Sequence, residues 1–177
     1  MRNRRIIEFF PPAAAVVVIC ALAFMVFQSL RESTGDFGRR DMPRAQRINC
    51  VNNLKQIGLG FRQWALDNND QFSFNVSMNA GGSLEFCDRD KDGFDRNAFR
   101  HLQPMSNELN TTKILVCPKD RSRKAAADFQ SLQRENVTYR LHSGANLSDT
   151  NPTAVLIVCP IDGNILRCDG TVIEAKK

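Results

Sequence analysis

From Asp88 to Asp95 the chain reads Asp-Arg-Asp-Lys-Asp-Gly-Phe-Asp. Carboxylates spaced this way can turn their oxygens onto one hard cation, and a glycine in the sixth place permits the sharp bend of a calcium loop. Asp88, Asp90, Asp92 and Asp95 are therefore the candidate calcium ligands. The twelfth place, where a bidentate glutamate usually closes the shell, is Phe99, and Arg89 and Lys91 dilute the negative charge. The competing reading is a solvated acidic turn that caps a helix starting near Asn97.

Cysteine supplies the second candidate chemistry. There are six, and Cys20 lies inside an apolar run, where it serves as a small hydrophobe. Cys50, Cys87, Cys117, Cys159 and Cys168 form an odd set, so an oxidising compartment allows at most two disulfides and leaves one thiol. Cys50, Cys117, Cys159 and Cys168 are the candidate disulfide cysteines. Cys159 and Cys168 flank the Asp162-Gly163 turn and share a face if that turn has two residues. A Cys50–Cys117 bridge would tie a helix to a buried strand. Buried thiols that pack as small core residues are the alternative. No C-x-x-C occurs and His101 and His142 stand apart, which argues against zinc at finger spacing.

Lys119, Arg121, Arg123 and Lys124 could meet phosphates, but Asp120 interrupts them and no aromatic residues interleave for base stacking. A solvated loop is favoured, and nucleic acid is not an expected partner. Ser143-Gly144 lacks the strained G-x-S-x-G frame, and neither histidine has a neighbouring nucleophile or acid that marks a triad. No catalytic residue and no small-molecule substrate are expected.

The elements that must position these groups begin at a basic head, Met-Arg-Asn-Arg-Arg. Of the formal charge of +5, Arg2, Arg4 and Arg5 against Glu8 supply +2, so little is left for a dedicated polyanion-binding face. Residues 11–30 are almost uniformly apolar, about the twenty that a spanning helix needs. Residues 1–30 are thus a head and transmembrane anchor, with the basic end favouring the cytoplasm. A cleaved secretory signal with Ala21-Leu22-Ala23 as its site is the other reading. Residues 31–43, with Gly35 and Gly38, form a polar linker.

Residues 44–177 are the globular domain, a helix over 44–68 and a β-rich part over 71–177. The helix carries Ile48, Val51, Leu54, Ile57, Phe61 and Trp64 at steps of three or four, which predicts one packing face. Pro43 suits its first turn, and Asp67-Asn-Asn-Asp stops it. Downstream, Phe72, Phe74 and Val76 alternate with polar residues as a strand ending at Gly81-Gly82. Two short helices follow over 97–109, restarted by Pro104. A buried strand is expected over 113–117, a helix over 125–133 and a half-buried strand through Val137, Tyr139 and Leu141. Asp162-Gly163 and Asp169-Gly170 are hairpin turns of a terminal meander over 154–160, 164–168 and 171–174. The fold class is α+β.

One block joins Cys50-Val-Asn-Asn-Leu-Lys-Gln-Ile-Gly-Leu-Gly-Phe61 to Trp64-Ala, Asp67-Asn-Asn-Asp and Gly81-Gly82. With Met105-Ser-Asn-Glu-Leu, Lys113-Ile-Leu-Val-Cys-Pro118 and Cys168-Asp-Gly-Thr-Val172 it resembles a type II secretion pseudopilin, of the prepilin-like group with a small C-terminal domain. The resemblance covers residues 44–174. At the N-terminus only Ile6-Ile7-Glu8 matches the end of the family's processing motif, and no glycine precedes Gly35. The resemblance implies a pilin-like fold, with a membrane helix and an amphipathic helix on a small antiparallel sheet. It also implies a single-pass protein of the bacterial inner membrane, exporting its C-terminal domain to the periplasm and assembling with other pilin-like subunits or secretion machinery. Calcium in a β-region loop belongs to the same expectation. The alternative is an envelope-anchored module that binds a ligand or DNA and does not polymerise.

Overall fold

The computed structural model describes the backbone of residues 12–148 and 150–175, and of these the side chains of all but 12–16 and 29–41. The architecture is α+β. Helix α1 runs Pro12–Asp67, followed by short 3-10 turns, by α2 (Ala98–Leu102) and α3 (Ser106–Leu109), and by strands β1 (Arg140–Leu141), β2 (Val155–Val158), β3 (Ile165–Arg167) and β4 (Val172–Ile173). The chain divides into two compact units, Met1–Pro43 and Arg44–Lys177.

In the first unit the described side chains from Val17 to Phe27 include eight large apolar groups that are 57–71% exposed. Among the described residues no helix is long and apolar enough to cross a membrane. Part of the anchor expected over 1–30, its basic head included, lies outside the described residues. The expected linker 31–43 is corrected, because its backbone is helical and Pro43 sits inside α1. Arg31, Glu32, Arg39, Arg40 and Met42 are good helix formers, set against Gly35 and Gly38 at about 1 kcal/mol each. Pro43 lacks the ladder N–H and its ring crowds the carbonyl four residues before it, a cost of about 3 kcal/mol that falls near the junction of the two compact units.

In the second unit, α1 from Arg44 onward buries Cys50, Val51, Leu54, Ile57, Phe61 and Ala65, and Trp64 packs partly buried beside them. Ile48 does not join that face and is 51% exposed. The reason is helical arithmetic. Each step of three residues falls short of a full turn, so nine residues from Ile48 to Ile57 rotate about 180° at 3.6 residues per turn. Ile48 instead lines up with Leu59 and Leu66 in an exposed row on the opposite side.

The sheet is an antiparallel meander in chain order, β1-β2-β3-β4. Leu156, Ile157 and Leu166 bury its inner face against α1. Gly58 permits close approach, since a Cβ there would lie 2.8 Å from Leu166 Cδ1 and 3.2 Å from Gly170 Cα. Both Asp-Gly turns form, with Gly163 at φ +71° and Gly170 at +81°. The first is longer than two residues: Cys159 N–H donates to Asn164 O at 2.8 Å, so residues 160–163 make the loop.

Three expected elements are corrected. Phe72, Phe74 and Val76 are buried, but 73–75 is a 3-10 turn and not a strand. Its carbonyls are taken by the loop that folds back: Ser83 N–H donates to Ser73 O at 2.8 Å and Leu84 N–H to Val76 O at 2.9 Å. Gly82 presses so close to the Val76 backbone that no Cβ fits. Over 113–117 the chain makes a 3-10 turn, Thr112–Leu115, which the Thr111 side chain caps. Ile114, Leu115 and Cys117 are buried as the apolar run requires. The expected helix over 125–133 is irregular chain, because Asp128 Oδ1 accepts the Ser131 N–H at 2.7 Å and offers the backbone a local alternative.

Candidate functional site

The acidic motif folds around Asp90. Gly93 takes φ +82°, the bend its position in the motif demands. Asp90 Oδ1 then accepts the N–H groups of Asp92 at 3.0 Å and Phe94 at 2.9 Å, while Oδ2 takes Arg140 Nη2 at 2.9 Å. A cation loop turns oxygens inward. Here the loop turns amide donors inward, onto one of its own carboxylates. Asp88 pairs with Arg96 at 2.7 Å, Asp92 is exposed, and Asp95 is buried elsewhere. The four expected calcium ligands thus do not converge on one another: only Asp95 belongs to a converging donor group, and its partners there are Cys87 and His101.

Asp95 anchors a buried network. Its Oδ2 lies 3.1 Å from His101 Nε2 and accepts the Ser143 hydroxyl at 2.5 Å, and its Oδ1 accepts the Asn97 N–H at 2.7 Å. Burial raises its pKa, but the hydrogen bonds from His101, Ser143 and Asn97 outweigh that and hold it at about 2. His101 Nδ1 meets Ser83 Oγ at 2.8 Å, and that hydroxyl donates to Ser73 O at 3.0 Å. Serine, histidine and carboxylate are here in sequence, yet Ser83 and His101 are 0% exposed and Asp95 7%. The network locks 73–83, α2 and 95–97 together. Cys87 lies beside it, within 4.8 Å of the Asp95 and His101 donor atoms.

His142 packs on Phe94, with ring centroids 3.9 Å apart, and the Arg140 guanidinium lies 3.7 Å from the Phe94 centroid. Burial and then the Arg140 charge push the His142 pKa down. In the basic run, Lys119 pairs with Asp162 and Arg123 with Asp120, which leaves a weak phosphate face.

The cysteines are where distant parts of the chain meet. Cys50 comes from α1, Cys117 from the end of the turn after Thr112–Leu115, and Cys159 from the end of β2. Their sulfurs and an Asp162 oxygen all lie within 4.8 Å of one another, and each of the three cysteines is 0% exposed. Asp162 Oδ2 stands 3.6 Å from Cys117 Sγ, Asp162 N–H donates to Cys159 Sγ at 3.4 Å, and Asn164 Nδ2 to Cys50 Sγ at 3.5 Å. The Tyr139 hydroxyl reaches the same Cys50 sulfur at 3.8 Å. Cys117 and Cys50 both donate toward Cys159, which drives its pKa far down. For Cys50 a hydrogen bond from Cys117 works downward, but the Cys159 sulfur and burial prevail and push it up to about 11. Cys117 is raised, first by the Cys159 sulfur it donates to.

No family model, curated protein or solved structure matches the chain. The expected pair Cys50 and Cys117 is therefore brought together by the geometry of this chain alone, and Cys159 joins it. Cys168, expected beside Cys159, is buried apart from the cluster, its N–H donating to Ala154 O at 3.0 Å. The turn of four residues after Cys159 breaks the two-residue geometry that would have placed them together. Among the described residues no disulfide joins any cysteines. Asp162 was missed as a member of this site. A readable signal exists: Cys-Pro-x-Asp occurs twice, at 117–120 and at 159–162.

Proposed function

We propose that this chain is a membrane-anchored, pilin-like structural subunit of a type II secretion or type IV pilus-like assembly. Its N-terminal segment would cross the bacterial inner membrane once and hold residues 44–177 on the periplasmic side. The observation that carries the reading is the exposure of Val17, Val18, Ile19, Leu22, Phe24, Met25, Val26 and Phe27 on one helical stretch. Burying such a side chain is worth about 1.5–3 kcal/mol, so water is a poor surrounding for this segment. Lipid, or a bundle of like helices, is a good one. In the second unit, the exposed row of Ile48, Leu59 and Leu66 offers a further apolar seam for a neighbouring subunit. An amphipathic helix covered by an antiparallel meander also agrees with the resemblance carried by Cys50–Phe61 and Cys168–Val172.

A photocrosslinking residue at Leu59 in the full-length protein in cells tests this. Ladders of like subunits support assembly, and monomer alone refutes it. One observation favours the binding-module alternative: a pocket of about 210 Å³ lined in part by Arg96, Arg123, Arg134 and Arg140. Three of those arginines already pair with aspartates, which places an anionic ligand second.

A further inference from the structure

We propose that Cys50, Cys117, Cys159 and Asp162 bind one zinc ion, which staples helix α1 to the sheet. The donor set decides the class of ion. Three sulfurs and one carboxylate oxygen suit a borderline-soft, tetrahedral cation, and they do not suit calcium or magnesium, which take oxygen shells. With Zn–S near 2.3 Å, the sulfurs of a tetrahedral site stand about 3.8 Å apart. The four donor atoms already lie within 4.8 Å of one another, so closing onto an ion needs only small shifts.

The surroundings are those of a built site. Asp162 is 2% exposed in its side chain, and its Oδ1 is held by Lys119 Nζ, which leaves Oδ2 toward the sulfurs. Such outer partners orient a ligating carboxylate. Each Cys-Pro-x-Asp turn aims backbone donors at its own sulfur: Lys119 N–H faces Cys117, and the Ile161 and Asp162 N–H groups face Cys159. Asn164 and Tyr139 donate to Cys50. Every sulfur therefore has a hydrogen-bond donor suited to a thiolate. The two turns differ in their aspartates. Asp120 is spent on Ser122, Arg123 and Thr138, whereas Asp162 faces the cluster.

A disulfide explains less of this. It would consume two of three mutually close thiols and leave the third and the Asp162 Oδ2 without a shared partner. Zinc uses all four groups. Each thiol still protonated gives its proton to solvent as the ion binds, so affinity rises with pH. The ligands come from positions 50, 117 and 159–162, hence the ion closes contacts that no local turn can make.

The experiment uses the full-length protein purified untagged in mild detergent. Metal analysis is expected to give near one zinc per chain. Cobalt added after chelation should show thiolate-to-cobalt charge transfer and the intense visible bands of a tetrahedral ion. Cys159→Ser should abolish those bands and Cys168→Ser should keep them. Lys119→Met is the second variant, a guard against a folding defect in Cys159→Ser. It keeps all four ligands and should weaken zinc binding by roughly tenfold or more. Absence of thiolate–cobalt bands in the parent protein overturns the proposal. So does alkylation mapping that finds any two of Cys50, Cys117 and Cys159 joined as a disulfide in protein taken from cells.

Discussion

Replacing Phe61 with alanine should remove the centre of the core. Its ring is 0% exposed and lies 5.3 Å from the Phe72 centroid, edge-on, and 6.0 Å from that of Phe74. Truncating a buried phenylalanine costs about 3–5 kcal/mol. The upper half of that range applies here, because two partner rings each lose an aromatic contact, edge-on for Phe72 and tilted for Phe74, worth about 0.5–1.5 kcal/mol. The Arg44–Lys177 unit, at an unfolding entropy of ~2.1 cal/mol/K per residue, converts this into a fall in Tm of roughly 14–18 °C. Trp64 is the sole tryptophan and packs against the same core, so its fluorescence reads the melting of this unit in the full-length chain. Phe61→Leu, closer in volume, should lose less than half as much. A Phe61→Ala protein melting within about 3 °C of the parent, a cost near 1 kcal/mol, would show that α1 does not pack as described.

Gly58→Ala sets two effects against each other. A helix interior gains about 1 kcal/mol from alanine, but the new methyl meets Leu166 Cδ1 at 2.8 Å and the Gly170 backbone at 3.2 Å. Overpacking at about 1–3 kcal/mol should win and lower Tm, whereas Gly60→Ala, which meets the Leu109 and Met105 side chains but no backbone, should lower it less. Serine at Ile48, Leu59 and Leu66 should leave Tm within about 5 °C, the sum of three surface-sized changes, yet weaken crosslinked ladders in cells; intact ladders would exclude this row as the seam. Asp95 has a folded pKa below its unfolded one, so its contribution is complete above about pH 4 and is lost as pH falls toward about 2. Asp95→Asn should therefore melt lower at neutral pH and show a shallower fall in Tm over that acid window. Equal slopes in the two proteins would refute the network.

The terminal meander was readable because its information is local. Gly163 and Gly170 adopt positive φ and the strands between are short apolar runs, so turn chemistry alone orders β2 to β4. Pro104 likewise separates α2 from α3. Alternation at Phe72, Phe74 and Val76 reported which side chains are buried, but burial pattern does not say what the backbone bonds to, and Ser83 and Leu84 took the place of a partner strand. Ile48 was misplaced because repeated steps of three drift around a helix. At Asp90 the motif indicated the bend correctly, and the direction in which donors and acceptors point depended on how Arg140 and Phe94 packed. The cysteine cluster needs contacts across the whole domain. The helix stripe and the apolar run point to Cys50 and Cys117 as neighbours, the repeated Cys-Pro-x-Asp hints at Cys159 and Asp162, and nothing in the sequence joins the two hints.

Strand order that follows chain order has a kinetic consequence. Each hairpin of β1 to β4 closes a modest loop, whereas Cys50 and Asn164, in contact through helix and sheet, are separated by 114 positions. Distant closures are the slow ones in domains of this size. The meander is thus positioned to form early and wait, and docking of the α1 face becomes the step that sets the refolding rate.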